Sequence, residues 1–68
     1  MLVVTVTKVT KAEGIASSLL DPYRYRIMHT VSNGRRSEER IGIAYGESAE
    51  LAQAAFEAAV IDAGNVIQ

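Results

Sequence analysis

The sequence contains no cysteine and no tryptophan, and it has one histidine, one proline and one phenylalanine among its 68 residues. Without cysteine the chain can form neither a disulfide nor a thiolate metal site. Its stability must therefore come from packing, either within the chain or against a partner or a second copy.

Long apolar runs are also absent. The apolar start Met1-Leu2-Val3-Val4 is interrupted at once by Thr5, Thr7 and Lys8. A signal peptide needs a basic start and an unbroken apolar stretch, and a membrane-spanning helix needs about 20 apolar residues. We therefore expect a cytoplasmic protein with no membrane partner.

The composition is that of a small folded domain with polarised charge. Apolar residues make up 49% of the chain, which excludes a disordered protein, and 68 residues lie near the lower limit for a lone hydrophobic core. Residues 22–46 hold five arginines and two glutamates, a local +3, whereas residues 47–68 hold four acids and no base, a local −4. The net charge of −1 argues against a protein that coats nucleic acid nonspecifically.

Three segments have the β-branched, alternating pattern of strands: residues 2–9, 23–31 and 38–45. Residues 10–21 form the first connection, where Ile15, Leu19 and Leu20 are expected against the edge of the core and a helical turn could span 15–20.

Asn33-Gly34 is the strongest turn signal, but a two-residue turn there would place Arg40 opposite Ile27, in the core. We therefore predict an odd-length loop or a bulge near residues 35–37, which pairs Ile27 with Ile41. Tyr25 would then pair with Ile43.

A C-terminal helix is predicted from Ser48, a suitable N-cap, to about Ala63, with Gly64 ending it. The expected solvent stripe consists of Glu50, Gln53 and Glu57, and the expected sheet-facing residues are Ala52, Ala55, Phe56, Ala59 and Ala63. A further apolar ridge, which could be a homodimer seam, a partner-docking strip or ordinary exposed alanine, consists of Ala54, Ala58 and Ile61.

The predicted fold class is therefore α+β: a three-stranded antiparallel sheet packed on one C-terminal helix, as a single βββα domain over residues 1–68. Asn65-Val66-Ile67 could return as a short fourth edge strand.

Arginines are the candidate binding residues. Alternation places Arg24, Arg26 and Arg40 on the side of the sheet away from the helix, and Arg35 and Arg36 at the hairpin tip. Grouped guanidinium groups suit phosphates or carboxylates, whereas an uncovered sheet face would also need polar cover with no binding role.

No catalytic, metal-binding or cofactor-binding set is visible in the sequence. His29, expected opposite Glu39, has no neighbouring nucleophile motif and no companion at metal-ligand spacing, so we expect a structural histidine and a protein that is not an enzyme. Tyr23, Tyr25 and Tyr45 are expected on the helix side, in the core.

The strand–strand–strand–helix order resembles AP2 domains and the arm-binding domains of phage integrases. The similarity lies in Tyr23-Arg24-Tyr25-Arg26-Ile27, Asn33-Gly34-Arg35-Arg36, Ile41-Gly42, and Ala49-Glu50 opening a helix. The resemblance implies DNA binding through arginines on the open sheet face, here Arg24, Arg26 and Arg40.

The chain also resembles small phage anti-CRISPR proteins that inhibit type I surveillance complexes, one type I-F inhibitor among them. The similarity lies in Val3-Val4-Thr5-Val6-Thr7, a Tyr25 strand, a Gly34 hairpin, an alanine-rich helix over 49–63 and Asn65-Val66-Ile67. This resemblance implies a phage or mobile-element inhibitor that binds a host Cas protein or Cascade-type complex. We favour this function over DNA binding and over a dimeric accessory protein that holds a phosphate-bearing ligand.

Overall fold

The computed structural model describes residues 1–12 and 23–68. The elements are β1 (Val3–Lys11), β2 (Arg24–Ser32), β3 (Ser37–Tyr45), α1 (Ala49–Asp62) and β4 (Val66–Ile67). The expected packing of Ile15, Leu19 and Leu20 and the helical turn over 15–20 lie outside the described residues. The first strand extends two residues beyond the predicted end, since β1 continues to Lys11.

One mixed sheet and one helix form the α+β fold that the sequence predicted. The strand order is β3-β2-β1-β4, with antiparallel pairing of β1 with β2 and of β2 with β3. The predicted fourth strand is confirmed: β4 lies parallel to β1, and the N–H of Val66 donates to the carbonyl of Leu2 at 2.9 Å. Helix α1 therefore connects two parallel strands, β3 and β4, across the sheet.

A bulge at Thr7 changes the alternation of β1. Val6 lies opposite His29, and Lys8, two residues later, lies opposite the adjacent Met28. Val9 and Val6 therefore both lie on the helix side of the sheet, packed against the core. The Thr7 hydroxyl donates to the carbonyl of Met28 at 3.1 Å across this irregularity.

The loop between β2 and β3 contradicts the predicted odd length. Ser32 pairs with Ser37, so four residues, 33–36, form the loop. The side chain of Asn33 closes it, because its Oδ1 accepts hydrogen bonds from the backbone N–H groups of Arg35 and Arg36, each at 2.9 Å. These side-chain bonds stabilise a longer even-numbered loop, so the register differs from the predicted one.

The observed register reverses the two faces of β3. Ile27 pairs with Gly42 instead of Ile41, and Tyr25 pairs with Ala44 instead of Ile43. Paired residues share a face, so Gly42 and Ala44 lie under the helix. The predicted core positions of Ile41 and Ile43 are wrong: both side chains lie on the opposite, open face.

The small residues of β3 lie under the helix because the helix runs close to the strand. A Cβ atom on Gly42 would lie 3.1 Å from Cε1 of Phe56, and one on Gly46 would lie 2.5 Å from the backbone nitrogen of Ala52. Isoleucine cannot occupy such a position without moving the helix. The space available under the helix thus decides which residues of β3 face it.

Helix α1 begins and ends as predicted. The Ser48 hydroxyl accepts from the N–H of Leu51 at 3.2 Å, which makes Ser48 the N-cap. At the other end, Gly64 has φ +86°, the left-handed conformation that ends many helices.

The orientation of the helix differs from the predicted one by part of a turn. Ala52 is buried and Phe56 packs on the core, as predicted, but Ala55, Ala59 and Ala63 are exposed. The half-buried positions are instead Gln53, Glu57 and Val60, and the Gln53 amide donates to the Glu57 carboxylate at 3.3 Å. The paired polar groups of Gln53 and Glu57 allow this side of the helix to lie against the sheet.

The described core is small. Its buried apolar residues are Val4, Ala12, Ile27, Val31, Ala44 and Ala52, half of them alanine. Among the described residues, burial of so few large side chains gives little hydrophobic stabilisation. The larger apolar residues on β3 and on the outer side of α1 remain exposed to solvent.

Candidate functional site

Three large side chains on the open face of β3 form a continuous apolar strip, which we call the β3 stripe. Ile41, Ile43 and Tyr45 are exposed by 61%, 50% and 47%. They stand at alternate positions of one strand and therefore project from the same face. Grouped exposure of large apolar side chains on a small protein marks an interaction surface more often than scattered exposure does.

Arginines of the central strand lie beside the β3 stripe. Arg24 pairs with Tyr45 and Arg26 pairs with Ile43, so each guanidinium stem is next to an apolar side chain. Both arginines are half-buried. Long arginine stems beside apolar side chains can shield them from water, and a guanidinium group is the residue type that binds carboxylates in a planar, bidentate way.

The open face carries net positive charge within the described ranges. Its charged side chains are Lys8, Arg24, Arg26 and Glu39, which give three positive charges and one negative, a sum of +2. A concavity of about 630 Å³ adjoins the stripe at Ile41, and its lining residues are Thr7, Lys8, Met28, His29, Glu39, Arg40 and Ile41. The face therefore combines an apolar strip, a depression and cationic groups.

The predicted arginine face is only partly confirmed. Arg24 and Arg26 lie on the open face, but Arg40 pairs with His29 and lies on the helix side. There its guanidinium contacts the Glu38 carboxylate at 2.7 Å, an exposed ion pair of little energetic weight. The register set by the four-residue loop places Arg40 on the helix side of the sheet, as it does Gly42.

The hairpin-tip arginines form a separate cationic site. Arg35 and Arg36 are exposed in the loop that the Asn33 side chain closes. Arg36 and Arg40 line a second, smaller concavity together with Leu2, Val31 and Glu38. Thus the five candidate arginines do not form one surface: Arg24 and Arg26 lie on the open face, whereas Arg36 and Arg40 share a different concavity.

His29 has the structural surroundings expected of it, although its predicted neighbour was wrong. It lies opposite Arg40 rather than Glu39, is 8% exposed, and its Nδ1 is 2.9 Å from the carbonyl oxygen of Ile27. Its ring packs on Phe56 with centroids 4.7 Å apart. The carbonyl contact fixes the tautomer with the proton on Nδ1.

The tyrosines divide between the faces. Tyr25 packs on the core, as predicted, and Lys11 lies over its ring at 5.9 Å. The prediction of Tyr45 as a core residue is wrong, because Tyr45 lies on the same face of β3 as Ile41 and Ile43. Tyr23 was also expected in the core and is 46% exposed. Tyr23 and Tyr45 line a shallow site at the start of β2 together with Gly46 and Glu47.

The helix ridge of Ala54, Ala58 and Ile61 is exposed, as predicted, with Ile61 exposed by 59%. The β3 stripe was not predicted because Ile41 and Ile43 were expected on the core face of the sheet. The signal that could have found it is the alternation Gly42-Ile43-Ala44: the two small residues mark the side on which a helix approaches closely.

Comparisons with family models, curated proteins and solved structures found no match to this chain. In the part of the chain that the structure describes, no helix is long and apolar enough to span a bilayer.

Proposed function

We propose that this protein is a non-enzymatic, cytoplasmic protein-binding module, and that its open sheet face is the binding surface. The observation that carries the proposal is the exposure of Ile41, Ile43 and Tyr45 beside Arg24 and Arg26. Tyrosine and arginine around an apolar centre are the residue types that dominate the energetics of protein interfaces. The partner surface that fits them is apolar at its centre and acidic at its rim.

A protein partner suits this face better than DNA. Reading DNA with an open sheet would use arginines spread over all the strands, but Arg40 lies on the other face and β3 presents isoleucines there. Isoleucine side chains make neither hydrogen bonds nor ionic contacts with phosphates, whereas an apolar protein surface would bury them favourably. The face has three described cationic groups, Lys8, Arg24 and Arg26, whereas salt-dependent duplex binding commonly uses roughly six to ten phosphate contacts.

The specific target that we propose is a type I CRISPR surveillance complex, bound through a Cas subunit or the assembled complex. The support for this narrower step is the resemblance of strand pattern, alanine-rich helix and size to type I inhibitors. Such an inhibitor works by occluding a surface, so it requires a binding face and no catalytic residues.

The experiment combines a binding assay with a biological one. The purified protein is mixed with purified type I complexes and analysed by size-exclusion chromatography, and phage plaquing is measured in a CRISPR-immune host that expresses the protein. We expect co-elution and restored plaquing for at least one type I system.

Two double variants locate the surface. Arg24→Ala with Arg26→Ala, or Ile41→Thr with Ile43→Thr, should weaken binding by on the order of 10- to 100-fold, because each removes interface contacts of about 1 kcal/mol or more. Arg35→Ala with Arg36→Ala removes the same charge at the hairpin tip and should leave binding unchanged. Loss of binding only in the tip variant would contradict the proposed surface, and salt-dependent duplex binding without any plaque rescue would favour the DNA function.

A further inference from the structure

The outer edge of β3 presents unpaired backbone. The N–H of Gly46 donates to the carbonyl of Tyr23 at 2.9 Å, and the N–H of Asn33 donates to the carbonyl of Arg36 at 3.2 Å. Hydrogen-bonded pairs recur every second residue in an antiparallel ladder, so even-numbered residues of β3 bond to β2. The N–H and C=O groups of Glu39, Ile41 and Ile43 therefore point outward, where no described strand lies.

This edge lacks strong protection against pairing with another strand. Natural edges are shortened, bulged or interrupted by proline or lysine, whereas β3 is nine residues long, pairs regularly with β2 and contains no proline. Charged residues occupy only its first half, at Glu38, Glu39 and Arg40. Its second half, from Ile41 to Tyr45, combines exposed apolar side chains with unpaired backbone.

A strip of small residues on α1 lies on the same side as this edge. Connections between parallel strands through a helix are right-handed in almost all proteins. In a right-handed β3–α1–β4 connection, the side of α1 that carries Ala55 and Ala59 is the side nearest the β3 edge of the sheet. The opposite flank, with Gln53 and Glu57, then lies over the rest of the sheet. The burial agrees, because Gln53 and Glu57 are half-buried and Ala55 and Ala59 are exposed.

We propose that the protein forms a two-fold symmetric homodimer in which the β3 strands of two copies pair antiparallel. The pairing joins two four-stranded sheets into one, and the alanine flanks of the two helices, Ala55 and Ala59, face one another across the seam. A second copy fits here because one two-fold axis can pair the β3 edge with the β3 edge of the second copy and also bring the two alanine flanks together. The acidic residues Glu50 and Glu57 are on the far flank of each helix, so they do not oppose the association.

One register opposes no like charges and also pairs the two exposed isoleucines with one another. With the axis at Gly42, Ile41 lies opposite Ile43 of the second copy, and Glu39 lies opposite Tyr45 of the second copy. Arg40 then lies opposite Ala44 of the second copy, so no like charges meet. Moving the axis to Ile43 would oppose Glu39 and Glu47, and moving it to Glu39 would oppose two copies of Glu39.

The dimer also accounts for the small core. A chain with six buried apolar residues among those described gains stability when a second copy covers further backbone and helix surface. The side chains of the β3 stripe remain on the open face after the edges pair. Two stripes then become adjacent, which gives a partner one continuous binding surface.

Hydrogen exchange of the native chain tests the seam without any substitution. The backbone amides of Ile41 and Ile43 should be protected, and their protection should increase as protein concentration rises from micromolar to millimolar. The amides of Gly42 and Ala44, bonded within the chain, serve as the internal reference. Concentration-independent, rapid exchange at Ile41 and Ile43 would overturn the proposal.

Sedimentation equilibrium of helix variants provides the second measurement. Ala55→Glu with Ala59→Glu should raise the dimer dissociation constant by on the order of 100-fold, since it places carboxylates where the two helices approach. Ala54→Glu with Ala58→Glu makes the same change on the outward ridge and should leave the constant near that of the native chain. A dimer that only the ridge variant dissociates, or a single-chain mass at every concentration, would contradict the β3 seam. Neither variant alters Arg24, Arg26 or the β3 stripe, so the two proposals fail independently.

Discussion

At the residue scale, the fold depends on the absence of side chains at two positions of the third strand and its end. A Cβ on Gly42 would meet the Phe56 ring, which can move slightly, whereas a Cβ on Gly46 would meet backbone atoms of Leu51 and Ala52 at 2.8 Å and 2.5 Å. Backbone cannot yield as a flexible side chain can. Gly46 is therefore the more stringent of the two requirements.

Gly46→Ala should lower the free energy of unfolding by about 1–3 kcal/mol, because the first turn of α1 must move away from the sheet. Urea unfolding followed by circular dichroism measures this change. Ser37→Ala, at an exposed position of β3, is the control and should change the free energy by less than about 0.5 kcal/mol. An unchanged midpoint for Gly46→Ala would mean that α1 does not approach Gly46 as closely as described.

At the scale of elements, the helix is defined by local signals and is stabilised only modestly by its own sequence. Its N-terminus depends on the Ser48 hydroxyl, which accepts from Leu51, and Glu50 lies in the first turn, where the helix dipole favours negative charge. No basic residue lies in the last turn. The start of the helix is therefore better stabilised than its end.

Ser48→Ala should cost about 1 kcal/mol of stability, through the loss of the capping hydrogen bond, and Ser48→Asp should retain most of it. Thermal unfolding of the three proteins at equal concentration distinguishes the cap from a change in packing. Equal destabilisation by alanine and aspartate would show that the serine acts through its size and not through the cap.

Local signals in the sequence were sufficient for the elements but not for the register of β3. The strands, the Ser48 cap, the Gly64 terminus and the short last strand all follow from nearby residues, and the structure has each of them. The face of β3 depends instead on the closure of the loop by Asn33 and on the approach of α1. Both are interactions that the hydrophobicity of β3 alone does not reveal.

The same limit applied to the helix. The helical periodicity correctly predicted that Ala52 and Phe56 face the sheet. Alanine is tolerated on either side of a helix, so Ala55 and Ala59 could not indicate how the helix is rotated about its axis. The decisive interaction is the contact between Gln53 and Glu57, two polar residues that satisfy one another and tolerate partial burial.

At the scale of the whole molecule, the candidate site depends on the register of β3, which was predicted wrongly. The open face was expected to be an arginine surface, and it is instead an apolar stripe with Arg24 and Arg26 beside it. An apolar stripe beside two arginines supports the protein partner that we propose over the DNA alternative. It also leaves the tip arginines, Arg35 and Arg36, outside the proposed interface.

The central claim is that β3 directs its isoleucines outward, and thiol labelling tests it most directly, because the native chain contains no cysteine. Single variants Ile43→Cys and Ala44→Cys are treated with a maleimide under native conditions, and their rates are compared with those in urea. We predict that Ile43→Cys reacts nearly as fast as in urea and that Ala44→Cys is strongly protected. Rapid labelling of Ala44→Cys together with protection of Ile43→Cys would contradict the account.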